Sequence, residues 1–462
     1  MTVPKHLTYG YVEEHRHDRE LAEHLDANYF RILAEYGSEE KPEMCYAVAY
    51  CLYSYALGLP KESAYKVHRH VINVTRIGVN EFSERRGNVS VEAVHLANAE
   101  IKANLLVLMA FSMFECDRPI SALGYLDNAE DCIDQARGFG LYDSRSLDVQ
   151  YECCRAMEAE IYLKLVPDLP PEHRPMFATV ANSYLWHAVA NLRALGEEDL
   201  SEPYGRFIPE ASELCRRYPM RSKREVDMMN RDSLRDPYLL WCQEHYRFLN
   251  LFNEIPHRNQ RYAKDDLDFE LNERYRMLLD DVLHTYDHCR RIMFGISRKG
   301  LESFGRKGRD DDVESLLDCY VRAYTLLDKV SKLATHLFPR DDSKPNATFY
   351  EVAEGYERSS NPYLRAIHHV CTDVFPDKVL VSERTFDPRL NTYGVILRNG
   401  LIRNSIAHNT VDVCSSPETR AVYEGVISIT PLELYHYASM LLYDVREVVL
   451  LLQLAYNRRK SQ

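Results

Sequence analysis

The groups best suited to chemistry lie within one six-residue run of the sequence. Arg403, Asn404 and His408 belong to Arg-Asn-Ser-Ile-Ala-His, in which small residues leave access around the imidazole. A histidine titrates near neutral pH and so moves protons, and an arginine carries a planar, permanent charge that binds phosphate oxygens. Cleavage of an RNA phosphodiester without a metal requires these two kinds of group.

Helical geometry limits how this pair can meet. A separation of five residues places two side chains about 140° apart on a helix of 3.6 residues per turn. Three arrangements bring Arg403 and His408 together: a fully extended arginine, a helix end near Asn409, or a second copy of the run across a dimer interface. The third fits a two-fold dimer, in which each subunit supplies the same patch.

Other cations near this run are candidates for contacts with an RNA backbone. Arg398 lies in the same predicted apolar helix as Arg403. The other four lie in a glycine-containing basic segment, which lacks the Lys-Ser or Lys-Thr of a phosphate-binding loop. The predicted RNA-binding residues are Arg398, Arg298, Lys299, Arg306 and Lys307.

The sequence gives no reason to expect a metal or a cofactor. His284 and His288 are four residues apart, but the glutamate of an HExxH motif and a third ligand are missing. None of the 12 cysteines forms a CxxC pair, so we expect reduced, mostly buried thiols.

Composition and length point to an all-α protein with more than one domain. The chain has 462 residues, only 18 glycines and a net charge of -13, which argues against nonspecific coating of nucleic acid. The longest apolar stretch, 105–114, is about half of the roughly 20 residues that cross a bilayer. We therefore expect a cytoplasmic protein that does not span a membrane.

Residues 1–197 are predicted to form successive antiparallel helices. The apolar spacing predicts helices at 21–36, 44–57, 62–81, 91–114, 120–139, 147–166 and 177–195. The pair joined by a tight turn at 116–119 has the length and small-residue pattern of a tetratricopeptide-like hairpin, with an irregular helical bundle as the alternative. We expect this region to bind a protein partner or regulator.

Residues 198–237 are predicted to connect the two domains, because periodicity fades and four prolines interrupt the segment. Its cations at 216–224 suit either a phosphate backbone or a solvated linker. Residues 238–462 then carry four amphipathic helices, enough for a bundle. They are marked by apolar stripes at 275–293, 313–330, 390–408 and 441–452.

The C-terminal region resembles the HEPN superfamily. Arg403, the polar Asn404 and then His408 match its RxxxxH motif, and the blocks 246–254, 263–266, 326–330 and 446–449 resemble one bacterial HEPN subfamily. The resemblance covers residues 238–462. It implies a four- to five-helix bundle that dimerises, so that facing motifs form a composite endoribonuclease site.

In such a site the 2'-hydroxyl attacks the adjacent phosphate and leaves 2',3'-cyclic phosphate and 5'-hydroxyl ends. The resemblance gives His408 the proton transfers, Arg403 the phosphate, and Asn404 an orienting role. It also implies a role in bacterial defence or stress response. The alternatives are a noncatalytic HEPN dimer that serves as a scaffold, and the toxin half of a toxin-antitoxin pair.

Overall fold

The computed structural model has two compact units, Met1–Glu225 and Val226–Gln462. It describes residues 7–37, 39–84, 99–138, 144–171, 173–220, 236–251, 267, 269–299, 310–340, 347–374, 410–413 and 426–461. The predicted all-α class is confirmed, since the regular β-structure within these ranges is one pair of four-residue strands.

The first unit is a succession of helices. Their bounds agree with the predicted segments to within three residues, except that 91–98 of the segment 91–114 lie outside the described residues. Asp18 begins one of them by accepting hydrogen bonds from two backbone amides of the next turn. The helices are α1 Tyr9–Glu14, α2 Arg19–Leu33, α3 Lys41–Leu57, α4 Lys61–Glu84, α5 Ala99–Glu115, α6 Pro119–Gly138, α7 Ser144–Leu165 and α8 Arg174–Ala194.

Successive helices of this unit pack as antiparallel pairs, and the predicted tight turn joins α5 to α6. Asp117 adopts φ 59 in that turn, and the Arg118 amide donates to the Met113 carbonyl at 2.9 Å. Gly78 of α4 lets neighbouring helices approach closely: a Cβ there would lie 2.8 Å from a methyl carbon of Leu105 and 2.9 Å from Cβ of Cys45. Whether the pairs are tetratricopeptide repeats remains a prediction.

The segment 198–237, predicted as a connector, contains two helices in its first half. These are α9 Glu198–Gly205 and α10 Ile208–Arg217, and both pack against α8. Ala211 of α10 is fully buried in a small core with Leu163 and Leu185. Pro209 lies in the first turn of α10, where a proline costs no hydrogen bond, so it marks a helix start here.

The second unit is a bundle whose last helix lies at its centre. Its elements are α11 Pro237–Glu244, α12 Glu273–Arg298, α13 Asp310–Leu337, α14 Phe349–Glu354, α15 Pro362–Val374, β1 Thr410–Val413, β2 Val426–Ile429 and α16 Pro431–Ser461. The stripes at 275–293, 313–330 and 441–452 are thus confirmed as helices α12, α13 and α16. The helix predicted at 390–408 lies outside the described residues.

Helix α16 organises this unit because it is buried around its whole circumference. Every residue from Asp444 to Tyr456 is buried, and the helix packs against α12, α13 and α15. A helix enclosed in this way forms the core of its bundle. Within the described ranges, no helix combines the length and hydropathy needed to cross a membrane.

Candidate functional site

The structure describes only two of the predicted site residues, and both lie where α12 ends. Arg298 is the last residue of α12, and Lys299 is its C-cap. The other predicted residues lie outside the described part of the chain: Arg403, Asn404, His408, Arg398, Arg306 and Lys307.

A short parallel strand pair follows the predicted catalytic run. Strand β1 begins at Thr410, two positions after His408 in the sequence, and pairs with β2 in a register that joins Thr410 to Val426. Thr430 follows β2 and caps α16: its hydroxyl accepts from the Glu433 amide at 3.2 Å, and the Glu433 carboxylate accepts from the Thr430 amide at 2.9 Å. The pairing therefore fixes β1 beside the N-terminus of the central helix.

The C-terminal end of α12 lies at this same end of the unit. The side chain of Ser297, one residue before the end of α12, lies close to that of Tyr435 near the start of α16. The strand pair, the start of α16 and the predicted cations at 298 and 299 consequently share one end of the bundle.

The two described cations differ in the charge they present. The Lys299 ammonium lies 2.5 Å from the carboxylate of Asp312, which is largely buried, so its charge is neutralised. The Arg298 guanidinium lies 5.8 Å from the ring centre of Phe294 and forms no ion pair with a described residue. Of the two, Arg298 is the one suited to bind an anion.

Sequence reasoning missed a cluster of three buried arginines beside the segment 245–251. Arg247, Arg290 and Arg446 are each at most 3% exposed. Arg446 donates from Nε to the Phe248 carbonyl at 2.7 Å and from Nη2 to the Asn250 carbonyl at 3.2 Å. These contacts join two of the blocks that carry the HEPN resemblance.

Irregular backbone explains why arginines are needed there. The chain leaves α11 after Glu244, and Tyr246 has φ 52, so the following buried carbonyls have no helical partner. An arginine offers five N–H donors for such groups. Arg290 also donates to the Arg247 carbonyl at 3.1 Å, while Arg247 donates to the carbonyl and hydroxyl of Ser439 on α16.

Asp287 supplies the countercharge for this cluster. Its carboxylate accepts hydrogen bonds from Tyr238 at 3.0 Å, Arg290 at 2.8 Å and Arg291 at 2.7 Å. Burial by itself would raise the pKa of Asp287, but the hydrogen bonds from Arg291 and Arg290 outweigh it and lower that pKa to about 2. The carboxylate is thus ionised at neutral pH and balances the Arg290 charge.

The arginine cluster is therefore a positioning device that fastens the 245–251 segment to α16. Its donors point to backbone carbonyls and to Asp287, which leaves it poorly suited to a substrate phosphate. One signal in the sequence could have revealed it, since the charged residues Asp444, Arg446 and Glu447 interrupt the apolar stripe 441–452.

No metal centre is found among the side chains that the structure describes. They contain no group of three or more His, Cys, Asp or Glu side chains that could hold an ion. His288, one of the paired histidines of α12, lies 4.0 Å from the Asp318 carboxylate.

Comparisons with family models, with curated proteins and with solved structures found no match to this chain. The function must therefore be argued from its residues and their geometry.

Proposed function

We propose that the C-terminal unit is a metal-independent endoribonuclease of the HEPN type, with Arg403, Asn404 and His408 as its catalytic residues. The observation that carries the proposal is the Arg-Asn-Ser-Ile-Ala-His run itself, which unites a neutral-pH proton carrier with a fixed cation. The paired strand that starts two residues beyond His408 supports it, because β1 ties the end of the run to the bundle core.

The reaction is an internal transfer at one phosphate. The 2'-hydroxyl oxygen bonds to the neighbouring phosphorus as the bond to the 5'-oxygen breaks, which yields a 2',3'-cyclic phosphate and a 5'-hydroxyl. His408 handles the proton leaving the nucleophile or the proton reaching the leaving oxygen, and Arg403 binds the charged phosphate oxygens. Asn404 orients these groups by hydrogen bonding, and no metal or cofactor takes part.

A second copy of the chain completes the site in this proposal. Each copy carries one such histidine for two proton transfers, and a second copy supplies the other imidazole. The 140° separation of Arg403 and His408 on a helix favours this arrangement over an extended arginine or a helix end within one copy. A two-fold homodimer through the C-terminal unit brings two runs face to face.

The substrate class follows from access to the 2'-hydroxyl. Single-stranded loops, such as tRNA anticodons, expose the groups that the site must align. Arg298 supplies a cation for the flanking backbone at the end of the bundle that also holds β1. A cytoplasmic role in bacterial defence or stress response fits such an activity, with the N-terminal unit receiving a protein partner or regulator.

The test is RNA cleavage in EDTA by the full chain. We expect purified tRNA to be cut to products with cyclic phosphate ends, and we expect His408→Ala to lower the rate at least 100-fold. His288→Ala is the matched control, since it removes a half-exposed imidazole from α12 and should leave the rate unchanged. Absence of cutting by the wild-type chain, or equal cutting by the His408 variant, would support the noncatalytic scaffold instead.

A further inference from the structure

A cluster of cations and aromatic rings lies at the other end of the C-terminal unit, where α12 begins and both α13 and α16 end. Three cations there are exposed: Arg274, Arg459 and Lys460. Four rings lie between them: Tyr275, His336, Phe338 and Tyr456. We call these seven residues the distal patch.

The rings and cations of the distal patch touch one another in series. Tyr275 stacks on His336 with ring centres 3.6 Å apart and planes 9° from parallel. The Arg459 guanidinium lies 5.1 Å from the centre of Phe338 and 5.7 Å from that of Tyr456. Cations over aromatic faces keep an extended side chain in place without neutralising its charge.

Carboxylates cancel only part of this charge. The Lys460 ammonium lies 5.1 Å from the centre of Tyr456 and 2.5 Å from the Glu270 carboxylate, and Glu273 adjoins Arg274 in the chain. Arg274 lies 5.7 Å from the ring centre of Tyr275. Among the described residues at this end, the three cations of the distal patch outnumber these two carboxylates. The described patch therefore carries an excess of positive charge, although the whole chain has a net charge of -13.

His336 contributes a flat ring and no charge at neutral pH. Burial first, and the nearby Arg459 charge second, lower the pKa of this imidazole below its ordinary value. The stacked Tyr275 and His336 rings thus form a neutral plane edged by arginines.

We propose that the distal patch is a second RNA-binding surface, which holds the backbone and an unstacked base of the same RNA that is cut at the opposite end of the unit. This inference rests on the proposed ribonuclease function. Arginine and lysine neutralise phosphates, and bases stack on aromatic side chains whatever their sequence. An acidic protein segment would use the cations but leave the ring planes without a partner.

The length of α12 sets the size of RNA that can use both ends. Tyr275 and Arg298 are 23 residues apart on this helix, which corresponds to about 35 Å at 1.5 Å per residue. A short oligonucleotide reaches one end at a time, whereas a folded RNA longer than about 35 Å reaches both. The preferred substrate is then a structured RNA with a loop, and isolated single strands are poor substrates.

The experiment separates binding from cleavage. The full chain carrying His408→Ala is titrated with a labelled 30-nucleotide hairpin RNA, and affinity is measured by fluorescence anisotropy at several salt concentrations. Replacing Arg274 and Lys460 by glutamine should weaken hairpin binding about 10-fold and lower the salt slope of log K by between 1 and 2, because each phosphate contact contributes about 0.7 to 0.9. Tyr275→Leu should weaken it about 5-fold or more.

Matched variants and probes decide the outcome. The charge-matched control replaces Lys66 of α4 and Arg322 of α13, two exposed cations that do not belong to the patch, by glutamine and should leave hairpin affinity within 2-fold. Equal weakening by both pairs of substitutions, or none by the patch pair, would overturn the inference. Displacement of the hairpin by a polyglutamate peptide of equal charge would also overturn it, in favour of an acidic protein ligand.

Cleavage assays keep this inference distinct from the proposed function. An 8-nucleotide single strand reports on the catalytic run alone, and patch variants in the wild-type background should cut it at the normal rate. The same variants should cut the hairpin about 10-fold more slowly at subsaturating RNA. If the chain cuts neither RNA, the ribonuclease proposal is refuted, and the binding titration still tests whether the distal patch binds RNA.

Discussion

Replacing Asp287 with asparagine tests whether this carboxylate holds the arginine cluster together. The change keeps the size of the side chain and one acceptor oxygen but removes the charge that faces Arg290, whose side chain is 1% exposed. A buried guanidinium without a countercharge is costly, with typical losses of about 3 to 5 kcal/mol. Since Asp287 itself is 29% exposed and water can screen the site, we expect a loss of about 2 to 4 kcal/mol in the free energy of unfolding.

The pH dependence provides an independent measure of the same interaction. The pKa of Asp287 falls from 3.8 to about 2 in the folded unit, so its ionised form stabilises the fold above pH 3.8, and this contribution disappears as the pH falls toward 2. The full shift corresponds to about 2.4 kcal/mol, and screening reduces this to between about 1 and 2 kcal/mol. The stability gap between wild type and Asp287→Asn should therefore narrow between pH 5 and pH 2.

The two tryptophans make the assay selective for one unit. Trp241 lies in the C-terminal unit and is 6% exposed, whereas Trp186 belongs to the first unit and is 54% exposed. Urea unfolding followed by fluorescence in a Trp186→Phe background then reports on the C-terminal unit. Asp281→Asn is the control, because its ion pair with Lys329 is half-exposed and should be worth less than 1 kcal/mol. A loss below about 0.5 kcal/mol for Asp287→Asn, which is the scatter of such data, would refute the reasoning.

Four further substitutions, two of which form a matched glycine pair, test other parts of the fold. Arg446→Leu should cost about 3 kcal/mol in the same urea assay, because two buried carbonyls lose their donors. Burial raises the pKa of the Glu158 carboxyl, so the folded unit favours its neutral form. Glu158→Gln should therefore stabilise the first unit by an amount that grows as the pH rises above 4.5. Thermal melting from pH 5 to 8 measures this trend, and its absence would refute the reasoning. Gly78→Ala should cost about 1 to 3 kcal/mol by crowding Leu105. A Cβ at Gly295, in the last turn of α12, would meet open space, so Gly295→Ala should gain up to about 1 kcal/mol. Equal effects of the two substitutions on the melting temperature would contradict this packing argument.

Apolar spacing predicted the long helices well because burial and helix formation act on the same residues. Helix α15 could have been predicted in the same way, because it carries an equally regular apolar stripe: Tyr363, Leu364, Ile367, Val370 and Cys371. Helix α14 is six residues long and gives too short a pattern. Pro203 lies inside α9 and Pro209 lies in the first turn of α10, so neither proline ends a helix, although both look like breaks in the sequence.

Tertiary features were beyond local pattern. Four-residue runs such as Thr410–Val413 and Val426–Ile429 carry no information about a parallel partner across a gap. The arginine cluster depends on the backbone turn at Tyr246, which creates carbonyls that only distant side chains can satisfy. For the candidate site, residue chemistry predicts a catalytic run at 403–408, which lies outside the described residues, and the structure describes the strand β1 that begins two residues later.

The bonds between the 245–251 segment and α16 set a folding order for the C-terminal unit. Arg247 and Ser439 are 192 residues apart in sequence, and Arg446 and Phe248 are 198 apart. Closing so long a loop costs conformational entropy before the hydrogen bonds that stabilise it can form, and this slows folding. During synthesis, α16 is made after α12 to α15, and these helices cannot pack against it until then. We therefore expect a growing chain to pass through a long interval in which this unit lacks its central helix and the 245–251 segment lacks its partners.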